Sequence, residues 1–287
     1  MPYQFQIAGV VLELDTDISL DIPDVFQPFL VDSEKVDYRI VYRQVESLPP
    51  IPRVTLHEDV CYCVHPDGKG GYIRSFFDPP RDMTPYAVER CDYAGGYIQV
   101  DYLAKGAHCL SQIGNSFFHL GFEALLIHRD RLCLHAACVD TPWGGILFSG
   151  PSGIGKSTQA DLWCRLRGAK QINGDRPLLS CEGGWRAWGS PYAGSSRCHV
   201  NDSCAVKAIV MLQQSPACSL RRLTQPEAFR AIWSGLTMHS WDSDFVSKAS
   251  DLALQLMADV PVYELCCTPD ERAVQILEDQ LRKEGGQ

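Results

Sequence analysis

Residues 150–158 read GPSGIGKST and match the phosphate-binding loop pattern G-x-x-x-x-G-K-[ST]. The apolar run GILFS at 145–149 predicts a buried strand before the loop, and the spacing of apolar residues over 158–166 predicts a helix after it. In that setting, backbone N–H groups and the positive end of the helix dipole bind phosphate. The complete pattern in its strand–loop–helix context argues against an accidental glycine-rich turn. The sequence therefore predicts a nucleotide site.

Roles within this loop follow from its chemistry. We expect Lys156 to reach the β- and γ-phosphates and the Ser157 hydroxyl to bind Mg²⁺. The sequence does not distinguish ATP from GTP. The residues predicted to bind the nucleotide are Gly150, Ser152, Gly153, Ile154, Gly155, Lys156, Ser157 and Thr158.

Composition limits the class of protein. The 287 residues carry a formal net charge of −9 and are 45% hydrophobic, typical of a globular chain with one large or two modest domains. An acidic chain argues against non-specific nucleic-acid binding. We expect a cytoplasmic protein with no membrane partner, because the N-terminus lacks signal-peptide features and no apolar run is long enough to span a bilayer. Thirteen cysteines without a CxxC pair favour reduced thiols.

The chain is expected to be an α/β protein, α+β with a mixed sheet, in two domains. Residues 1–112 are rich in β-branched and aromatic runs and predict an antiparallel, β-rich domain, a candidate for substrate recognition. Residues 113–287 predict the P-loop nucleotide-binding domain, entered through an amphipathic helix over 115–129.

A metal site in the first half is the weaker of two interpretations. His57, Cys61, Cys63 and His65 would share one face of a continuous strand, and nitrogen and sulfur ligands suit Zn²⁺. Ligands spaced along an extended strand diverge, so ordinary sheet residues are the preferred interpretation.

Two residues outside the loop are candidates for chemistry. Asp175 lies nineteen residues after Lys156 at the end of the next predicted strand, where it can face the phosphates and hold Mg²⁺. The alternative is an aspartate in a turn. His135 lies within an apolar run, where a core histidine is the default and an acid–base role the alternative.

The segment LHAACVD at 134–140, the loop at 150–157 and GDR at 174–176 together resemble the nucleotide core of the HPr kinase/phosphorylase family. That family belongs to the phosphoenolpyruvate-carboxykinase-like P-loop superfamily. His135 stands fifteen residues before Gly150, as in the family pattern. The loop at 189–194 and the strand predicted at 207–212 further resemble kinase-like relatives of that family, several of which are associated with modified-peptide gene clusters. The resemblance covers about residues 130–285. It implies an HPr-kinase-like fold and ATP-dependent transfer of phosphate to a hydroxyl, typically of serine, with His135 and Asp175 in the active site.

The sequence departs from the family pattern at two positions. Gly174 replaces one acid of a pair, so both duties of that pair would fall on Asp175. Thr158 replaces an acid after the loop serine, which argues against reverse phosphorolysis and against HPr as the substrate. Residues 1–110 show no resemblance to that family's N-terminal domain.

Three arginines are candidates for contacting transferred phosphate. Arg197 ends a small-residue loop that begins at Gly189, and Arg221 and Arg222 follow a predicted strand. The alternative for each of them is a solvated surface charge.

The sequence therefore favours a Mg²⁺- and ATP-dependent kinase in which Lys156 neutralises the phosphates and Asp175 or His135 activates the acceptor. The acceptor would be a serine of a peptide or protein, or a small hydroxylated metabolite. Two alternatives remain: a nucleotide-binding regulator or pseudo-kinase, and a peptide-maturation partner whose N-terminal sheet captures an extended leader by strand addition. The oligomeric state is open, with a homo-oligomer as one possibility.

Overall fold

The computed structural model describes residues 2–114, 117, 121–192 and 194–285. The chain divides into two compact units. Unit 1 comprises Met1–Arg129 and Ser240–Asp242, and unit 2 comprises Asp130–His239 and Ser243–Gln287. Unit 1 extends beyond the boundary at residue 112 that was expected from the sequence. One contact that holds the added segment in unit 1 is the hydroxyl of Tyr38, which donates to the carbonyl of Leu125 at 3.0 Å.

Unit 1 is built on a sheet of eight strands in its described part, in the order β1-β2-β3-β8-β7-β6-β5-β4. A short helix, α1 (Ala107–Leu110), follows β8, and α2 (Phe122–Ile127) ends the unit's first segment. The predicted helix over 115–129 falls partly outside the described residues. The strands are β1 (Tyr3–Ile7), β2 (Val10–Asp15), β3 (Tyr38–Gln44), β4 (His57–Glu58), β5 (Tyr62–Pro66), β6 (Tyr72–Asp78), β7 (Asp82–Asp92) and β8 (Tyr97–Tyr102).

The prediction that this sheet is antiparallel throughout is wrong. β3 pairs in parallel with both β2 and β8, whereas the other neighbours pair antiparallel. Residues 16–37 connect β2 to β3, which is long enough for the crossover that parallel pairing requires. Pairing partners this far apart in the chain leave no local pattern in the sequence.

Unit 2 contains a sheet of nine strands among its described residues, so the expectation of a mixed sheet in an α/β chain is confirmed. Its helices are α3 (Lys156–Arg167), α4 (Gln225–Gly235), α5 (Ser243–Asp259) and α6 (Glu271–Gly285). Its strands are β9 (Arg131–Cys133), β10 (Ala136–Thr141), β11 (Gly144–Ser149), β12 (Lys170–Asn173), β13 (Leu178–Cys181), β14 (Trp185–Trp188), β15 (Ser203–Gln214), β16 (Ser219–Arg222) and β17 (Val262–Cys267).

The long strand β15 joins two parts of this sheet. Its first residues pair antiparallel with β14, and its later residues pair in parallel with β11 on one side and β17 on the other. β11, β15 and β17 therefore run side by side in the same direction. Their carboxyl ends meet at one edge of the sheet, which is where open α/β sheets bind ligands.

Two segments that were each predicted to form a single strand form two strands each in the structure. Residues 131–139 form β9 and β10 with a break at Leu134 and His135, and residues 170–179 form β12 and β13. In each case the two strands pair with different neighbours, so the chain must turn between them. Both candidate residues outside the loop, His135 and Asp175, lie in these breaks.

Helix α3 packs its apolar face on the sheet. Trp163 and Ala160 are fully buried against a core that includes Phe148 of β11 and Val139 of β10. Gly168 ends the helix in the left-handed conformation, with φ of 65°. This packing anchors the helix whose first residue is Lys156.

None of the helices in the described ranges is both apolar enough and long enough to cross a bilayer. All thirteen cysteines lie in the described part of the chain, and each is a free thiol.

Candidate functional site

The loop between β11 and α3 has the backbone geometry of an anion-binding turn. Gly150 and Gly155 have φ of 139° and 113°, values that side-chain-bearing residues rarely adopt. Gly155 immediately precedes the first residue of α3. The loop therefore lies at the N-terminus of a twelve-residue helix, which is the positive end of the helix dipole.

Lys156 is folded against this loop. Its Nζ donates to the carbonyl oxygens of Gly150 and Pro151, each at 3.0 Å, and the residue is only 7% exposed. Burial lowers the pKa of Lys156, and the charge of Asp175 opposes that effect. A partly desolvated ammonium of this kind interacts strongly with an anion that enters the loop.

His135 and Asp175 form a pair at the other side of the site. The His135 Nε2 lies 3.2 Å from Asp175 Oδ1, and both side chains are 31% exposed. The pKa of His135 is lowered, first by burial and then by the charge of Lys156, whereas Asp175 acts to raise it. A neutral imidazole that donates from Nε2 leaves its Nδ1 as an acceptor.

Backbone bonds explain why the pair forms. His135 lies in the break between β9 and β10, where its N–H donates to the carbonyl of Gly235 at 2.8 Å. The next N–H, of Ala136, donates to the carbonyl of Asp175 at 2.9 Å. Because these segments are bonded directly to each other, the imidazole and the carboxylate face one another.

Asn173 organises the turn that carries Asp175, a role that the sequence did not predict. Its side chain is fully buried, and its Oδ1 accepts from the N–H groups of Asp175 and Arg176 at 3.0 and 2.7 Å. Its Nδ2 donates to the carbonyls of Ser190 and Tyr192 at 3.2 and 3.3 Å. One amide thus ties the Asp175 turn to the loop after β14.

Arg176 is a second residue that the sequence prediction missed. Its Nε lies 3.6 Å from Asp175 Oδ2, and its Nη1 donates to the hydroxyl of Thr237 at 2.7 Å. The signal available in the sequence was only its position beside Asp175. The structure thus brings a second cation near the carboxylate, besides Lys156.

A cavity of about 320 Å³ joins these groups. Of the residues predicted to bind nucleotide, Gly150 and Ile154 do not line it. Ser157 and Asp175 both line it, and these two oxygen donors are of the kind that Mg²⁺ prefers. The residues around the cavity are His135, Ser152, Gly153, Gly155, Lys156, Ser157, Thr158, Gly174 and Asp175.

The three arginines proposed as phosphate contacts do not line this cavity. Arg221 pairs with Glu264 and Glu227 at 2.8 and 3.0 Å, and Arg222 is exposed on β16. Arg197 is exposed as well and has φ of 53°. The three arginines are therefore better described as solvated surface charges than as phosphate contacts.

The four residues weighed as a metal site do not share one strand, because Cys61 lies in the turn between β4 and β5, and Cys63 and His65 lie in β5. His57 is in β4, opposite Val64 of β5, and His65 is buried with its ring nitrogens bonded to Val54 O at 3.0 Å and Ser75 Oγ at 2.9 Å. Protein groups therefore contact both ring nitrogens of His65. This agrees with the interpretation of these residues as ordinary members of the sheet.

A different group of donors meets in unit 1. Side-chain atoms of Asp78, His108 and Cys109 lie within 4.8 Å of one another. His108 Nε2 is 3.1 Å from Asp78 Oδ2, and the same carboxylate oxygen lies 3.9 Å from Arg81. Asp78 thus has cationic or hydrogen-bonding partners within the protein.

No protein-family model matches the chain, and no curated protein matches it. Among solved structures, the chain is similar to the HPr(Ser) kinase/phosphatase from Coxiella burnetii, with 15% identity and a TM-score of 0.31. The similarity covers 53% of this chain and 93% of that one. At that level of similarity, the match establishes neither an activity nor a substrate for this chain.

Proposed function

We propose that the chain is a Mg²⁺-dependent kinase that transfers the γ-phosphate of ATP to a hydroxyl group. The observation that carries the proposal is that Lys156, Ser157, His135 and Asp175 line one cavity at the end of a phosphate-binding loop. Phosphate transfer needs a cradle for the phosphates, a group that takes the acceptor's proton, and cations for developing charge. This cavity offers all three.

In the proposed step, the acceptor O–H gives its proton to Asp175 as the oxygen attacks the γ-phosphorus. The bond between that phosphorus and the β,γ-bridging oxygen breaks, and ADP leaves with the bridging oxygen. His135, neutral because its pKa is lowered, donates from Nε2 to Asp175 Oδ1 and holds the carboxylate in position. Lys156 and the loop amides stabilise the charge on the phosphates.

Ser157 and Asp175 would hold Mg²⁺, which neutralises phosphate charge when it is bound. Among the residues that the structure describes, Asp175 is the one carboxylate that lines the cavity. Asp175 would therefore use one oxygen toward the metal ion and the other toward the acceptor proton. The acceptor class that we propose is a serine hydroxyl of a peptide or protein, as the resemblance to HPr kinases implies.

The test is ADP formation from MgATP by the full chain with a pool of serine-containing peptides. We expect Lys156→Ala and Asp175→Asn each to lower transfer by at least about 100-fold, because each removes charge stabilisation or the proton acceptor. Circular dichroism checks that both variants remain folded. Wild-type rates in both variants would overturn the proposal.

A second candidate is a nucleotide-binding regulator. It is favoured by Gly174 at the position of an acid in the family pattern and by Asp175 being the single carboxylate among the described residues that line the cavity. A regulator binds MgATP and forms no ADP with any acceptor in the pool. Binding without turnover would therefore replace the kinase with this function.

A further inference from the structure

A second cavity, of about 500 Å³, lies beside the phosphate-binding loop and has no role in the proposed transfer. Gly153, Gly155 and Thr158 line both cavities, so the loop separates two adjoining spaces. We call the second space the base cavity. A nucleotide whose phosphates occupied the first cavity could extend its nucleoside across the loop into the second.

The base cavity lies where the fold gathers its strand ends. Its walls include residues 212–216, at the end of β15, and residues 267–269, at the end of β17. These strands pair in parallel, with Gln214 opposite Cys267. The crevice beyond the carboxyl ends of parallel strands is the usual ligand site of an open α/β sheet.

Size and chemistry suit a purine. A volume of about 500 Å³ falls in the ordinary range of small-molecule sites. Leu212, Ile154, Pro216 and Pro269 supply apolar walls for the faces of a flat ring. Gln214 is exposed at the rim, where the ribose would reach solvent.

Gln159 places a buried polar side chain at this cavity. The residue is 2% exposed, lines the cavity, and has an Oε1 with no hydrogen-bond partner among the described residues. Its Nε2 donates to the Sγ of Cys267 at 3.3 Å, so the oxygen is the atom of this amide that lacks a partner among the described residues. Trp163 Nε1, one turn further along α3, likewise has no partner within the described part of the chain and does not bond to Gln159. A buried acceptor of this kind destabilises the protein unless a donor reaches it.

We propose that the base cavity binds the adenine base of the nucleotide, with Gln159 Oε1 accepting a hydrogen bond from the 6-amino group. Guanine carries an oxygen at that position, and two acceptors facing each other repel. The inference rests on the proposed function because it requires a nucleotide on the loop. It names the base and the residue that selects it.

The test measures binding of MgATP, MgGTP and inorganic tripolyphosphate to the full chain by calorimetry. We expect Gln159→Leu to weaken MgATP binding about 3- to 10-fold, the loss of one hydrogen bond, and to leave tripolyphosphate binding unchanged. MgGTP binding should not weaken, so the preference for ATP over GTP falls.

The chain offers a matched control in Gln255→Leu. Gln255 also donates from Nε2 to a cysteine sulfur, that of Cys181 at 3.4 Å, but it does not line either cavity. This variant should bind all three probes as the wild type does. If Gln159→Leu does not fold, Gln214→Trp places a bulky side chain at the exposed rim and should weaken MgATP binding but not tripolyphosphate binding.

Failure of this inference is distinguishable from failure of the proposed function. Lys156→Ala should weaken all three probes, since all carry phosphates, and unchanged binding there would overturn the nucleotide site itself. The other case is that Lys156→Ala weakens binding as expected, but Gln159→Leu changes the binding of MgATP and tripolyphosphate equally or not at all. Only the base assignment is then wrong. The same criterion applies to Gln214→Trp where it is used in place of Gln159→Leu. A wild-type preference for MgGTP would also overturn it.

Discussion

At the scale of single residues, the site is a set of charges that act on one another. Lys156 lowers the pKa of His135, whereas Asp175 raises it, and burial is the largest influence on the histidine. The same Asp175 opposes the effect of burial on Lys156. A change in Lys156 or in Asp175 should therefore be measurable as a shift in the pKa of His135.

The first prediction uses these opposing influences. In Lys156→Met, removal of a nearby positive charge should raise the pKa of His135 toward its ordinary value of 6.5. In Asp175→Asn, removal of the negative charge should lower it further. Histidine titration by nuclear magnetic resonance measures both. Shifts in the same direction in the two variants would show that the three groups do not share one site.

At the scale of elements, the loop after β14 determines the position of the carboxylate. Gly194 has φ of 57°, and a Cβ at this residue would lie 2.7 Å from the Cβ of Asp175. Such a distance is well below contact, so the loop or the aspartate must move. Packing of the loop against Asp175 thus requires glycine there.

Gly194→Ala is therefore predicted to lower kcat about tenfold or more while MgATP still binds, because displacement of a reacting group slows catalysis more than it weakens binding. Gly183→Ala is the matched control. It has a similar φ of 70° but nothing within 4 Å of the added Cβ. Both variants should lose about 1 kcal/mol of stability from backbone strain, and only the first should lose activity. Equal kcat in the two variants would contradict the prediction.

Asn173→Ala tests the other contact that holds this loop. The variant leaves the N–H groups of Asp175 and Arg176 without their shared acceptor, which should lower the free energy of unfolding by about 1–3 kcal/mol and lower kcat as well. Asn201→Ala, at an exposed position, should change neither by a measurable amount. Chemical denaturation and initial rates provide the two measurements.

The elements also show how far sequence reasoning reaches. The loop at 150–158 was predictable because its glycines, lysine and flanking strand and helix are contiguous. Asp175 became a candidate through its distance from that loop, and His135 through the family resemblance in which its distance from the loop recurs. Asn173, Arg176 and Gly194 were missed because their roles depend on contacts between turns that are distant in the chain. The parallel pairing of β3 was missed for the same reason.

At the scale of the whole molecule, unit 1 contains a buried ion pair remote in sequence from the P-loop. Arg74 Nη1 lies 3.5 Å from Glu89 Oε1, with both side chains at most 3% exposed. Burial raises the pKa of Glu89 to about 7, although the charge of Arg74 acts to lower it. Glu89 Oε2 has no hydrogen-bond partner among the described residues. The stability of unit 1 should therefore depend on pH.

The sign of this dependence follows from the raised pKa. Between about pH 4.5 and about pH 7 the folded chain holds a proton on Glu89 that the unfolded chain releases, so this residue's contribution to the free energy of unfolding falls as pH rises. Above about pH 7 its contribution is constant. Replacing Glu89 with Gln removes the ionisation while keeping the shape of the side chain.

We therefore compare the free energy of unfolding of Glu89→Gln with that of the wild type at pH 5 and pH 7.5. The variant's value relative to the wild type should rise by on the order of 1–3 kcal/mol between these two pH values. Chemical denaturation of the full chain at these two pH values, followed by a signal from unit 1, measures the difference. Glu46→Gln, at an exposed position, is the control and should show no such change. The contradicting result is a difference in free energy of unfolding between Glu89→Gln and the wild type that is the same at both pH values. That result would show that Glu89 ionises alike in the folded and unfolded chains. The ion pair with Arg74 would then be charged throughout this range, and the burial of Glu89 would be fully offset by its partner.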